Sequence, residues 1–300
     1  MAVDKLIDGI IEKKNPSCVG IDPDYDKIPD CYKDKSLSKP QVIYNWACDV
    51  IDAVKDIVSV VKPQIAFYEM YGSEGIKVFE NIINYAHDNN LVVVDDAKRN
   101  DIGNTAKAYA YAHLDNKGPF NADFLTVSPF LGSDSIEPFI EEARLNGKGI
   151  FVLVKTSNPS STQISEAVNN NDTIMNNLAR LVNENGIDIV GRYGYSPIGA
   201  VVGATFPDEA KELRQIMHNN IFLVPGYGAQ GGSAKDIINC FNDDGLGAIV
   251  SSSRGILYSY LKINQACNIE EYKSIVRKSS IKMQEDIYAT LRNYFKKMIY

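Results

Sequence analysis

The sequence is poor in the residues from which many catalytic and metal sites are built. Its three histidines, His87, His113 and His218, are scattered. Each lies in or near a helical pattern and is expected at the surface, so a zinc site or a Ser-His-Asp triad has little support. The five cysteines, at 18, 31, 48, 240 and 267, form no CxxC pair and show no metal-ligand spacing. An odd set of this kind reads as reduced thiols in a cytoplasmic protein. Long apolar runs are missing too. Leu91 to Val94 is among the longest and is far too short to span a bilayer. Residues 1–14 alternate charge with Ile and Leu, without an apolar core or a small-residue cleavage site, so neither a secretory signal nor a membrane partner is expected. Positive charge is in deficit: 31 Lys and Arg against 38 Asp and Glu leave a net charge of −7. That excludes a general nucleic-acid binder but still permits a local anion site built from helix N-termini and one or two arginines. There is no internal repeat and no low-complexity tract.

What remains is an ordinary globular composition, 45% hydrophobic and 23% charged over 300 residues, enough for a large core without staples. Short β-type runs alternate with amphipathic helices. Strands are predicted at Cys18–Asp22, Val58–Phe67, Leu91–Asp95, Asp123–Val127, Gly149–Val154, Gly199–Gly203, Ile221–Val224 and Ala248–Ser251. Helices are predicted between them, among them Gln41–Ile57, Thr105–His113, Ser135–Leu145 and Ser233–Phe241, with a long one over Glu270–Met298. Near-continuous apolar strands flanked by helices mean a parallel sheet buried on both faces. Eight such units predict a closed (β/α)₈ TIM barrel, read as one α/β domain over 1–300 with an N-terminal and a long C-terminal helix. An open doubly wound sheet is the alternative, but its glycine-rich first turn is missing: Gly20-Ile21-Asp22-Pro23 is no G-x-G-x-x-G.

The densest chemical signal runs from Asp95 to Thr105 at the end of the third strand. Residues two apart share a face, so Asp96 and Lys98 point one way and Asp95 the other. Lys62 follows the apolar run Val58–Val61 and, inside a buried strand, needs a partner. Asp96 and Asp101 are the natural ones, and Asp22 closes the neighbouring first strand. Five charges on three adjacent strand ends point to a catalytic rim, against the plainer reading of a solvated strand end. The loop Pro225–Gly232 after strand seven and Ser251–Gly255 after strand eight occupy the usual phosphate-binding place of such barrels. Arg254 there can make charge-assisted bonds to a phosphate.

Asp96-Ala97-Lys98-Arg99-Asn100-Asp101-Ile102-Gly103-Asn104-Thr105 resembles the D-x-K-x-x-D-I-x-x-T signature of orotidine 5′-phosphate decarboxylases. Phe222 to Gly232 resembles that family's phosphate loop. Lys62 to Glu69, Val154 to Pro159 and Val202 to Thr205 are similar to the longer branch found in some bacteria and apicomplexans. The resemblance spans Gly20 to Tyr258; Glu270 to Tyr300 matches in helical character only. It implies decarboxylation of orotidine 5′-phosphate to uridine 5′-phosphate, the last step of de novo UMP synthesis, with no metal and no organic cofactor. It further implies that Lys62, Asp96, Lys98 and Asp101 are catalytic, with Lys98 giving the proton to C6. Asp22 would bind a ribose hydroxyl, Ser157 the pyrimidine, and Gln230 and Arg254 the phosphate, with Pro225 also among the substrate-binding residues. Asp101 and Thr105 would reach across a homodimer interface. Two other functions stay open. One is a sister sugar-phosphate reaction on the same barrel that uses magnesium and a glutamate near strand two, for which Glu69 is placed. The other is a non-catalytic nucleotide-binding module.

Overall fold

Eight parallel strands pair in the order in which they occur along the chain, and the first pairs with the last to close a barrel. They are β1 Ser17–Ile21, β2 Val60–Pro63, β3 Val92–Arg99, β4 Phe124–Val127, β5 Gly149–Lys155, β6 Ser196–Val202, β7 Asn220–Val224 and β8 Ala248–Ser252. This computed structural model describes residues 1–169, 171–228, 231–263 and 268–300. Around the barrel lie α1 Ala2–Lys13, α2 Lys39–Val54, α3 Gly72–Asp88, α4 Gly103–Leu114, α5 Ser133–Asn146, α6 Ile174–Gly186, α7 Pro207–Ile216 and α8 Ile269–Tyr294. The pairing of β1 with β8 excludes the open sheet. Among the described residues no helix is long and apolar enough to cross a membrane.

The barrel interior is layered by the two-residue period of its strands. A lower layer of Cys18, Val60, Val92, Val94, Phe124, Phe151 and Ile249 packs onto Leu6, Ile7 and Ile10 of α1, which closes the floor. The Phe124 and Phe151 rings stack at 5.0 Å. They fit because Gly149 and Gly199 lie beside them: a Cβ at either would stand 2.5 and 2.7 Å from a ring carbon. Burial in this dry layer pushes the Cys18 thiol up to about 12. One step up the same strands the hydrocarbon gives way to Lys62, Asp96 and Thr126. The outward faces of the strands join the helices in a second, larger core.

Several elements depart from the sequence expectation: β3 runs four residues beyond the expected Asp95, to Arg99, and β6 starts at Ser196 rather than Gly199. β2 ends at Pro63, and Ala66–Glu69 is one helical turn rather than strand. A short apolar run cannot be assigned by period alone. The helix expected over Ser233–Phe241 is absent as such: Ser233 N and Oγ both donate to Asp236 Oδ2 in a tight turn, and only Ile238–Cys240 is helical, as a 3₁₀ turn. The last helix starts at an Asn268–Glu271 capping box and stops at Tyr294, four residues before Met298. It packs on α2, where Trp46 Nε1 donates to Tyr272 Oη at 2.7 Å.

Candidate active site

The site is built around an irregularity in β3. Asp95 pairs with Leu125 and Arg99 with Val127, so four steps along β3 match two along β4. Inside this bulge Lys98 adopts a left-handed backbone, φ +47°. A side chain there costs about 1–3 kcal/mol and persists only where its surroundings fix it. On the front, Thr126 Oγ1 accepts from Lys98 N at 2.9 Å and donates to Asp96 Oδ1 at 3.0 Å. Lys98 Nζ donates to Asp96 Oδ1 at 2.5 Å, and Lys62 Nζ donates to Asp96 Oδ2 at 2.6 Å. Asp96 is thus held between two ammonium groups and a hydroxyl. Asp22 Oδ1 stands 4.0 Å from Lys62 Nζ and is a buried oxygen with no hydrogen-bond donor among the described residues.

Burial acts to raise the Asp96 carboxyl, but the Lys62 and Lys98 charges outweigh it and hold the group well below the usual carboxylate range. Burial likewise acts to lower Lys62, and the Asp96 and Asp22 charges instead hold it above the usual lysine range. Asp96 and Lys62 are therefore both ionised at neutral pH.

These residues form one end of a cavity of about 460 Å³ at the C-terminal ends of the strands. Ser157, Pro225 and Arg254 line it as well, together with Thr126, Asn158, Tyr227 and Ser251 to Ser253. Each loop is anchored. Tyr258 Oη donates to Asp22 O and accepts from Asp24 N, both at 2.7 Å, which fixes the end of β1. A Cβ at Gly203 would stand 2.8 Å from Ser157 Cα, so only glycine lets the Ser157 loop lie on the end of β6. The buried Lys155 ties that loop back through Glu166 at 2.8 Å. Tyr227, on the loop after β7, donates to Asp286 of α8. Arg254 makes no ion pair among the described residues, so its cation is available to a ligand.

Of the expected cluster, Asp22, Lys62, Asp96 and Lys98 come together. Asp101 does not join them within this chain. It lies past the end of β3, outside the cavity lining, and its Oδ1 accepts from Ile102 N at 2.8 Å. The strand ends at Arg99 and the chain turns into α4, whose first residue Gly103 has φ +54°. Thr105, exposed in the first turn of α4, is also outside the lining. Gln230 lies outside the described residues. Glu69 pairs with Arg99 at 2.7 Å and does not line the cavity. His113 is not at the surface: it is 2% exposed and pairs with Asp95 behind β3. His87 is half-buried beside Asp123 at 3.1 Å, and His218 is exposed as expected. Thr126 was not singled out from the sequence, although its place two residues after the interior Phe124 puts it on the cavity face.

A family model described as orotidine 5′-phosphate decarboxylase / HUMPS family matches residues 16–268. The orotidine 5′-phosphate decarboxylase of Rhodopirellula baltica is 40% identical over 289 residues, 93% of this chain and 96% of the relative. That of Clostridium tetani is 40% identical over 295 residues, 98% of this chain and the whole of the relative. Among solved structures, Leishmania donovani OMP decarboxylase superposes with a TM-score of 0.74 at 27% identity, covering 97% of this chain and 98% of that one.

Proposed function

The chain belongs to the orotidine 5′-phosphate decarboxylase / HUMPS family, and from that premise we propose that it converts orotidine 5′-phosphate to uridine 5′-phosphate and carbon dioxide without a metal. The observation that carries this reading is Asp96 fixed between Lys62 and Lys98 at one end of a cavity whose lining also includes Arg254, unpaired among the described residues. In the reaction the bond from C6 to the carboxylate breaks and its electron pair stays on C6. Carbon dioxide leaves, the Lys98 ammonium gives its proton to C6, and solvent returns a proton to Lys98. Asp96 next to the substrate carboxylate disfavours the bound anion. The fixed Lys98 charge favours the transition state, where negative charge moves onto C6.

Binding would be divided among the loops. Arg254, Gln230 and Pro225 take the phosphate end and Ser157 the pyrimidine. Asp22, with its unoccupied buried oxygen, takes a ribose hydroxyl together with Lys62. Asp101 and Thr105 belong, in this reading, to the site of a second copy. Their position outside their own cavity supports that. So do Ile102, Phe130 and Leu131, which are 53%, 79% and 50% exposed on the loops after β3 and β4. These two loops are neighbours, since Ser128 N donates to Arg99 O at 2.9 Å.

Two observations favour this reaction over the magnesium-dependent sister. Both Asp96 oxygens are already engaged by Lys62, Lys98 and Thr126, and Glu69 is committed to Arg99 away from the cavity. The test is the loss of orotidylate absorbance with purified protein, with and without EDTA. Full activity after EDTA treatment is expected. Activity that vanishes with EDTA and returns with magnesium would move the assignment to the sister reaction.

A further inference from the structure

Behind β3, on the face turned from the cavity, lies a chain of polar side chains that the proposed reaction leaves unused. His113 of α4 is 2% exposed and Asp95 is fully buried. His113 Nδ1 stands 2.5 Å from Asp95 Oδ2, and Arg99 Nε stands 3.2 Å from His113 Nε2. Arginine Nε carries a hydrogen and can only donate. His113 Nε2 is therefore the accepting nitrogen, and the one ring proton sits on Nδ1, donated to Asp95. The imidazole is neutral.

Asp95 and Arg99 are the two residues between which the register of β3 against β4 slips. One imidazole thus grips both ends of the bulge, and the enclosed residues are Asp96, Ala97 and Lys98. Arg99 is secured in turn: it donates to Glu69 Oε1 at 2.7 Å and to Ala97 O at 3.3 Å, and it lies over the Tyr109 ring. The Phe120 ring packs on His113 at 4.9 Å. On the cavity side the Lys98 backbone has its bond to Thr126. A left-handed lysine needs more than one such constraint.

We propose that His113 is a positioning residue for the decarboxylation: its neutral ring clamps the bulge from behind and so keeps the Lys98 ammonium on Asp96. The inference rests on the reading of Lys98 as proton donor. Without the clamp β3 can relax toward regular strand, and Lys98 moves relative to Asp96 and C6. The groups proposed for ribose, base and phosphate stand on other strands and keep their places. The loss should therefore fall on kcat rather than on binding.

His113→Asn keeps a donor for Asp95, while its shorter amide no longer reaches the position from which Nε2 accepts from Arg99. Arg99→Lys keeps a cation for Glu69 and removes the Nε donor. In each, kcat should fall roughly ten- to a hundred-fold. KM for orotidine 5′-phosphate and Kd for uridine 5′-phosphate should stay within about threefold, and crystal structures should show Lys98 leaving positive φ. A folded variant with Lys98 unmoved and kcat within about twofold of wild type overturns the proposal. So does a parallel fall of kcat and product affinity, which is what general damage to the fold would give. Should His113→Asn fail to fold, Arg99→Lys decides by the same readings. Wild-type protein that binds uridine 5′-phosphate but releases no carbon dioxide from orotidine 5′-phosphate would sink the proposed function instead. The backbone of Lys98 in the variants would still decide the clamp.

Discussion

Asp96 carries the electrostatics of the site, and its folded state can be read by titration. An unfolded aspartate titrates near pH ~4, whereas Asp96 in the fold is held lower by Lys62 and Lys98 against the opposing effect of burial. Its contribution to stability is therefore complete above about pH 4 and is lost as the pH falls through the lower folded value. The raised Lys62 is the same contact seen from its other end. Lys62→Met removes the larger of the two attractive charges and leaves burial in place. Urea melts between neutral and acid pH should then show the acid limb moved to higher pH, with about 3–5 kcal/mol lost at neutrality. An acid limb that stays where it was would mean that Lys62 does not hold Asp96. Lys98→Ala, on the more exposed side of the pair, should leave the melt nearly intact and remove almost all turnover. Retention of more than about a tenth of kcat, a loss under ~1.4 kcal/mol, would place the proton donor elsewhere. At this scale the sequence was legible where side-chain parity alone decides: Asp96 and Lys98 share a face and Asp95 opposes them. His113 and Thr126 were not legible. A histidine on a helix and a threonine in a strand carry no local mark of the partner across the fold that defines them.

Strand existence was legible because burial on both faces makes continuous apolar runs, and β7 was placed to within a residue, whereas β2, β3 and β6 differ by three or four residues at one end. The bulge in β3 was invisible, since Asp95 to Arg99 contains neither glycine nor proline to announce it. The false helix after β7 followed from apolar spacing at Ile237, Ile238 and Phe241 that serves turns instead. The phosphate assignment belongs to the loops after β7 and β8. Arg254→Ala should weaken kcat/KM for orotidine 5′-phosphate by roughly 2–3 kcal/mol. The nucleoside without phosphate should react equally poorly with variant and wild type. If the variant is also worse on that nucleoside, Arg254 acts on something other than phosphate. α8, to which the sequence assigned no role, reaches the same region: its Asp286 accepts from Tyr227 on the β7 loop.

For the molecule as a whole, the alternation of eight units was sufficient to specify a closed barrel. Where Asp101 and Thr105 act was implied only by resemblance, because a chain read alone does not contain its neighbour. Their use across a two-fold interface can be tested by mixing. An inactive Lys98→Ala chain exchanged with an inactive Asp101→Ala chain would give mixed dimers in which one site carries both defects and the other neither. About half of the dimers would be mixed, so roughly a quarter of wild-type activity should return. If mass spectrometry of tagged chains proves exchange and activity stays at the parental level, the sites are not shared.

The floor formed by α1 beneath Phe124 and Phe151 has a consequence for traffic. With hydrocarbon packed solidly below the charged layer, the barrel is a vessel with its neck at the loop end. Substrate arrival and product departure share that neck. A lingering product delays the next turnover, and any movement that narrows the neck slows both directions together.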